Sequence, residues 1–152
     1  MPTRPSILVV DDSSDGREML AEYLAFRGFH VAEAQNGTDA VEVARRVHPN
    51  VILMDRWMPS VDGWETTRQL KIDPLTKDII VVAVTAHAST PEQDAARVAG
   101  CAAVIAKPYD LPALADALDR IISKGLTALD PKAVALKAAS RHKSRSATPS
   151  PR

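Results

Sequence analysis

Four short apolar runs in this sequence end on a residue that could do chemistry. Ile7-Leu8-Val9-Val10 leads into Asp11 and Asp12, Val51-Ile52-Leu53-Met54 into Asp55, Ile79 to Val84 into Thr85, and Ala103-Val104-Ile105-Ala106 into Lys107. Apolar runs of this length, bounded by turn residues, read as strands covered on both faces, as inside a parallel sheet. The residue closing each run then emerges at the sheet's carboxyl edge, where open α/β sheets bind ligands. Three carboxylates gathered there repel one another, and a hard divalent cation with oxygen ligands relieves that repulsion. Mg²⁺ suits such a site, because it keeps several waters and takes one or two protein carboxylates. An ammonium and a hydroxyl beside it supply the remaining charge and hydrogen bond that phosphoryl oxygens require. The chemistry these residue types specify is phosphoryl transfer to a carboxylate, with Asp55 at its centre.

Alternating strands and helices must carry those residues. After Asp11-Asp12-Ser13-Ser14, rich in N-cap residues, Met19, Leu20, Tyr23, Leu24 and Phe26 give a helix an apolar face, stopped by Gly28. His30 to Ala34 alternates like a strand near the sheet's edge, and Asn36-Gly37 opens a helix carrying Ala40, Val41, Val43, Ala44 and Val47. Beyond the strand that ends in Asp55, Ser60-Val61-Asp62-Gly63 reads as turn chemistry, and Trp64 packs at the start of a helix running to Ile72. Ser89-Thr90-Pro91-Glu92-Gln93 combines a cap residue, proline at the first helical position and Gln93 as a capping-box glutamine, which predicts a helix start. It ends near Gly100, and a last amphipathic helix spans 111–122. Five βα units predict an α/β fold with a doubly wound parallel sheet.

The 152 residues, 45% hydrophobic and 25% charged, suggest one soluble domain with a core that needs no disulfides. The single cysteine, Cys101, excludes a disulfide framework or a Cys-rich zinc site and reads as a small buried hydrophobe. No run approaches the roughly 18 apolar residues of a membrane span, and the start lacks a signal-peptide core. A cytoplasmic protein without membrane contact is expected. The net charge of zero conceals an asymmetry. Lys124, Lys132, Lys137, Arg141, Lys143, Arg145 and Arg152 face one acid, Asp130, so residues 124–152 carry +6 and residues 1–123 carry −6.

Asp11-Asp12, Asp55 with Met58-Pro59 and Asp62-Gly63, Thr85-Ala86, and Lys107-Pro108, in this order and at strand ends, resemble the receiver domain of bacterial two-component response regulators. The resemblance covers about residues 5–123 and implies the flavodoxin-like (βα)5 fold with strand order 2-1-3-4-5. It implies that Asp55 accepts a phosphoryl group from a phosphohistidine on a histidine kinase or phosphotransfer protein. Asp12 and Asp55, with Asp11 directly or through water and the backbone carbonyl of Trp57, would hold Mg²⁺. Lys107 would pair with the acyl phosphate and Thr85 would hydrogen-bond to it. Small Ala86 would leave the entrance open, while Trp57 and His87 flank the site and would modulate its rate. The domain would catalyse only its own phosphotransfer and dephosphorylation, changing its binding to a downstream protein as a monomer or weak dimer.

One position departs from that pattern: Val104 stands three residues before Lys107, where many receivers carry the Tyr or Phe whose ring swings inward on activation. Tyr109, two residues after Lys107, does not fill that role. Taken singly, each site residue also has a bland reading: Asp12 as a helix cap, Thr85 as β-branched filler, Lys107 as a surface cation, His87 as solvated. Asp62-Gly63 reads as turn chemistry before it reads as a ligand. Two rival functions remain, a Mg²⁺-dependent phosphatase working through an aspartyl phosphate and a receiver-like binding platform that is never phosphorylated. The sequence divides into a receiver body, 1–123, and a basic tail, 124–152, with a short helix expected over about 130–139 and disorder after it. That tail is the one segment suited to touching nucleic acid.

Overall fold

Every residue of the strand Val51–Asp55 (β3) is buried, and the rest of the chain supplies what buries it. The computed structural model describes residues 4–56, 58 and 62–124. The expected helix over 130–139 and the tail around it lie outside them, as does Trp57. In order, Ser6–Val10 (β1), Ser14–Phe26 (α1), His30–Ala34 (β2), Gly37–Val47 (α2), β3, Gly63–Ile72 (α3), Ile80–Thr85 (β4), Thr90–Ala99 (α4), Ala103–Ala106 (β5) and Leu111–Lys124 (α5) alternate strictly. The five strands form one parallel sheet in the order β2-β1-β3-β4-β5, as expected. Edge strand β2 has an exposed or half-exposed residue at all but its last position, whereas β1, β3 and β4 are almost wholly covered. Burial on both faces is why the central strands read as continuous apolar runs. No helix among the described residues is long and apolar enough to cross a membrane.

Local chemistry starts each helix at the sheet's carboxyl edge. Ser13 Oγ accepts from the Gly16 amide at 3.3 Å, Asn36 Oδ1 from Asp39 at 2.8 Å, Asp62 Oδ1 from Glu65 at 2.9 Å and Ser89 Oγ from Glu92 at 3.4 Å. Asp110 Oδ2 accepts from Ala113 at 3.3 Å ahead of α5. Each such cap satisfies a backbone donor that the helix leaves unpaired, worth about 1 kcal/mol. Asp62 therefore caps α3 rather than closing a turn, and α4 starts at Thr90, ahead of Pro91. The Gln93 side-chain amide donates through Nε2 to the Ala88 carbonyl at 2.8 Å and does not close a capping box.

Helix α1 departs from expectation on its apolar face. Leu20, Ala21 and Leu24 point inward, while Met19 and Phe26 are 61% and 82% exposed. Met19 and Phe26, at i and i+7, lie on a second stripe turned away from the first, while Tyr23 between them stays half-buried against the core, and helical spacing alone does not distinguish the two stripes. Val47, expected inward on α2, is also exposed, one turn beyond the buried pair Val43 and Ala44. The remaining core is as the periodicity indicates, with Leu114, Ala115 and Leu118 of α5 fully buried.

Two close packings lead to measurable expectations. A Cβ built at Gly63 would lie 2.5 Å from the Asp55 carbonyl oxygen and 3.1 Å from Arg56 Cα, both backbone atoms, and the Gly63 amide donates to the Arg56 carbonyl at 2.8 Å. Gly63→Ala should therefore cost about 1–3 kcal/mol in denaturant unfolding, because backbone cannot yield as a flexible side chain does. Cys101 is buried, and its thiol approaches the Thr67 hydroxyl at 3.9 Å. Burial pushes that thiol up to about 12, with Thr67 and Lys71 opposing it weakly. It should stay unreactive to a disulfide reagent at pH 8 while the protein is folded, and react at once in denaturant.

Candidate functional site

The sheet register sets the site. Val10 lies opposite Met54, Asp55 opposite Val84, and Thr85 opposite Ala106, so the next residue along each chain reaches the same edge. Backbone hydrogen bonds extend the ladder past the strand ends: Asp11 donates to the Ala34 carbonyl at 3.1 Å, Arg56 to Val84 at 3.0 Å and Lys107 to Thr85 at 2.7 Å. The site's main chain is thus held by the sheet rather than by free loops.

The Asp55 side chain is 9% exposed, with Oδ1 3.4 Å from Lys107 Nζ. One carboxylate oxygen each from Asp11, Asp12 and Asp55 lies within 4.8 Å of the other two. These residues, with Ala86, Lys107 and Tyr109, line an open cleft of about 470 Å³. Asp11 Oδ1 also accepts from the Ser13 amide at 2.9 Å, and its carbonyl accepts from Arg17 Nη1 at 2.9 Å, which fixes the first acid in place. Burial raises the Asp55 carboxyl above its ordinary range. Lys107 opposes the shift, and the neighbouring charges of Asp11 and Asp12 add to it. Tyr109 is likewise raised, by burial first and then by Asp11 and Asp55.

Three facing carboxylates are a hard-oxygen donor set, and their spacing suits a small divalent cation that completes its shell with water. Asp11, Asp12 and Asp55 therefore fit the metal expected from the sequence. Trp57, expected to offer its carbonyl and to modulate the rate, lies outside the described residues. Ala86 is exposed at the cleft. His87 is also exposed but is not among the residues lining it.

Thr85 is 1% exposed, and its hydroxyl engages the side of the site next to α4. It accepts from the His87 amide at 3.2 Å and lies 3.4 Å from both the His87 carbonyl and Glu92 Oε2. Among the described residues it makes no hydrogen bond to Asp55. Val104 is buried on β5, and its short side chain leaves no ring there to swing.

The profile of the response regulator receiver domain matches residues 7–119. The chain belongs to that family. This receiver is 35% identical over 107 residues to the polar-differentiation response regulator DivK of Brucella ovis, a match covering 70% of this chain and 87% of DivK. The structure of the Vibrio cholerae chemotaxis protein CheY4 superposes with a TM-score of 0.75 at 25% identity, covering 78% of this chain and 99% of that one. The signal receiver domain of a histidine kinase from Syntrophus aciditrophicus gives 0.72 at 29% identity, covering 79% and 91%. The protein is a two-component signalling domain with the flavodoxin-like fold.

Sequence reasoning missed several residues of this receiver's site. Arg56, directly after Asp55, pairs through Nη1 with Asp62 at 3.1 Å and through Nε with Glu92 at 3.0 Å, and its guanidinium stacks 4.6 Å from the Trp64 ring centroid. Its adjacency to Asp55 was the one available signal; nothing in the sequence marks Glu92 as reaching back to β4. Tyr109 stands out in the sequence only for its aromatic position, and Gly63 only as a turn residue.

The raised Asp55 carboxyl carries a pH consequence. The folded protein holds that proton more tightly than the unfolded chain, so ionised Asp55 opposes folding at every pH above its raised value. The penalty fades as pH falls through that value toward the ordinary 3.8. In EDTA at pH 7, Asp55→Asn should melt above the parent, and the gap should close on acidification. A gap independent of pH would contradict the assignment.

Proposed function

We propose that this receiver is a phosphorylation-dependent switch in which Asp55 accepts a phosphoryl group from a phosphohistidine on a sensor kinase or histidine phosphotransfer protein. The observation that carries the reading is the buried Asp55 carboxylate, within 3.4 Å of the Lys107 ammonium and beside Asp11 and Asp12. An Asp55 oxygen attacks phosphorus, the phosphorus–nitrogen bond of the donor breaks, and the electron pair leaves on the imidazole nitrogen. Lys107 moves its charge from the carboxylate to the acyl phosphate, and the Thr85 hydroxyl donates to a phosphoryl oxygen. Asp11, Asp12 and Asp55 would hold Mg²⁺, whose chemistry is to neutralise charge on the transferring group. Most of the acceleration comes from positioning and charge compensation. Slow attack by water on the acyl phosphate returns the resting state, so the domain turns over only its own modification.

The switch is read out by a downstream protein that distinguishes the two states of the surface around β4 and α4, which new charge and hydrogen bonds bias. Because Val104 offers no ring, that readout rests on Thr85 and α4. We assign residues 1–123 to the receiver body and 124–152 to a basic tail, and place the protein in the cytoplasm, where its buried thiol stays reduced.

Incubation with acetyl phosphate and Mg²⁺ should give one acid-stable, alkali-labile phosphoryl group per chain, lost in Asp55→Asn. Lys107→Ala should slow its formation by about a hundredfold or more, as loss of a preorganised charge does elsewhere. Steady turnover of unrelated phosphate esters would point to a phosphatase, and no adduct at all to a binding platform.

A further inference from the structure

The Thr85 hydroxyl has a single proton and, at rest, two acceptors for it: the His87 carbonyl and Glu92 Oε2, each at 3.4 Å. The carboxylate is the stronger acceptor, because hydrogen bonds to a charged group are about twice as strong as neutral ones. Its position is not left to a flexible side chain. The same Oε2 accepts from Arg56 Nε at 3.0 Å, and Arg56 is in turn held by Asp62 at 3.1 Å and stacked on Trp64 at 4.6 Å. The Arg56 and Glu92 side chains are only 12% and 18% exposed, so the pair is screened far less than a surface ion pair. Glu92 also lies in the first turn of α4, where the helix dipole favours a negative charge.

We propose that Glu92, fixed by Arg56, is a positioning residue that holds the Thr85 hydroxyl in its resting orientation and so opposes the phosphorylated state. The inference rests on Asp55 as phosphoacceptor and Thr85 as donor to the phosphoryl group. A proton shared with Glu92 is not available to a phosphoryl oxygen, so Thr85 leaves Glu92 whenever the acyl phosphate forms. The hydrogen bond from Thr85 to Glu92 joins the end of β4 to the start of α4, and breaking it couples the chemistry at Asp55 to the helix beside it. Arg56 keeps its two carboxylates throughout, so the exchange leaves no buried charge unpaired.

The test is the affinity for beryllofluoride, an acyl-phosphate mimic, titrated calorimetrically with Mg²⁺ into the full chain. Glu92→Ala should bind about three- to tenfold more tightly than the parent, the range set by one net hydrogen bond. Glu92→Gln, which keeps the volume and removes the charge, should show a smaller gain in the same direction and serves if the alanine variant folds poorly. In a Thr85→Val background, which lacks the hydroxyl, Glu92→Ala should change nothing. Unchanged affinity in both Glu92 variants overturns the proposal while leaving Asp55 as phosphoacceptor. A gain that persists with Thr85→Val also overturns it, because the released Arg56 would then be responsible. A parent that takes up neither beryllofluoride nor acetyl phosphate overturns the reading of Asp55 and this inference with it.

Discussion

The Asp55 carboxylate, taken out of water at the end of a wholly buried strand, is the constraint around which the rest of this receiver is built. A carboxylate in that place is costly alone, and Asp11 and Asp12 beside it raise the cost further. Lys107 offsets part of it from the end of β5, at 3.4 Å. A site so arranged gains when cationic charge arrives, because arrival relieves a repulsion already present.

The sheet gives that arrangement its rigidity. Asp11, Arg56 and Lys107 each continue a parallel ladder by one more backbone hydrogen bond after their strands end. The site's main chain thus inherits the precision of the core. Gly63 completes the support from the other side, where α3 starts against the Asp55 carbonyl at a distance no side chain tolerates.

Arg56 shows how one cation can join elements that the sheet leaves separate. It touches Asp62 at the start of α3 and Glu92 in the first turn of α4, and lies over the Trp64 ring. Through the shared Glu92 oxygen it comes one contact from Thr85, the residue whose hydroxyl the phosphoryl group would draw away. A chemical change at Asp55 would therefore reach α4 through side chains already in contact, in a receiver with Val104 in place of an aromatic ring.

Alternating strands and helices and the five-stranded parallel sheet could be inferred from the chain alone, whereas the strand order came from the resemblance to receiver domains. Runs such as Val51–Met54 and Ile79–Val84 are continuous only when both faces are covered, and turn residues bound them. The chemistry-bearing positions Asp11, Asp12, Asp55, Thr85 and Lys107 followed from the same pattern, because a strand's last residue has one place to go. Periodicity could not say which of two helical stripes on α1 faces inward, so Met19 and Phe26 were expected in the core and lie at the surface. Nor could it show that Asp62 caps a helix, that Gly63 presses on the Asp55 carbonyl, or that Glu92 reaches the Thr85 hydroxyl. Those facts depend on distances between elements far apart in the chain. Local pattern dictates what each segment becomes, whereas side-chain partnership across the carboxyl edge exists only once the segments have packed.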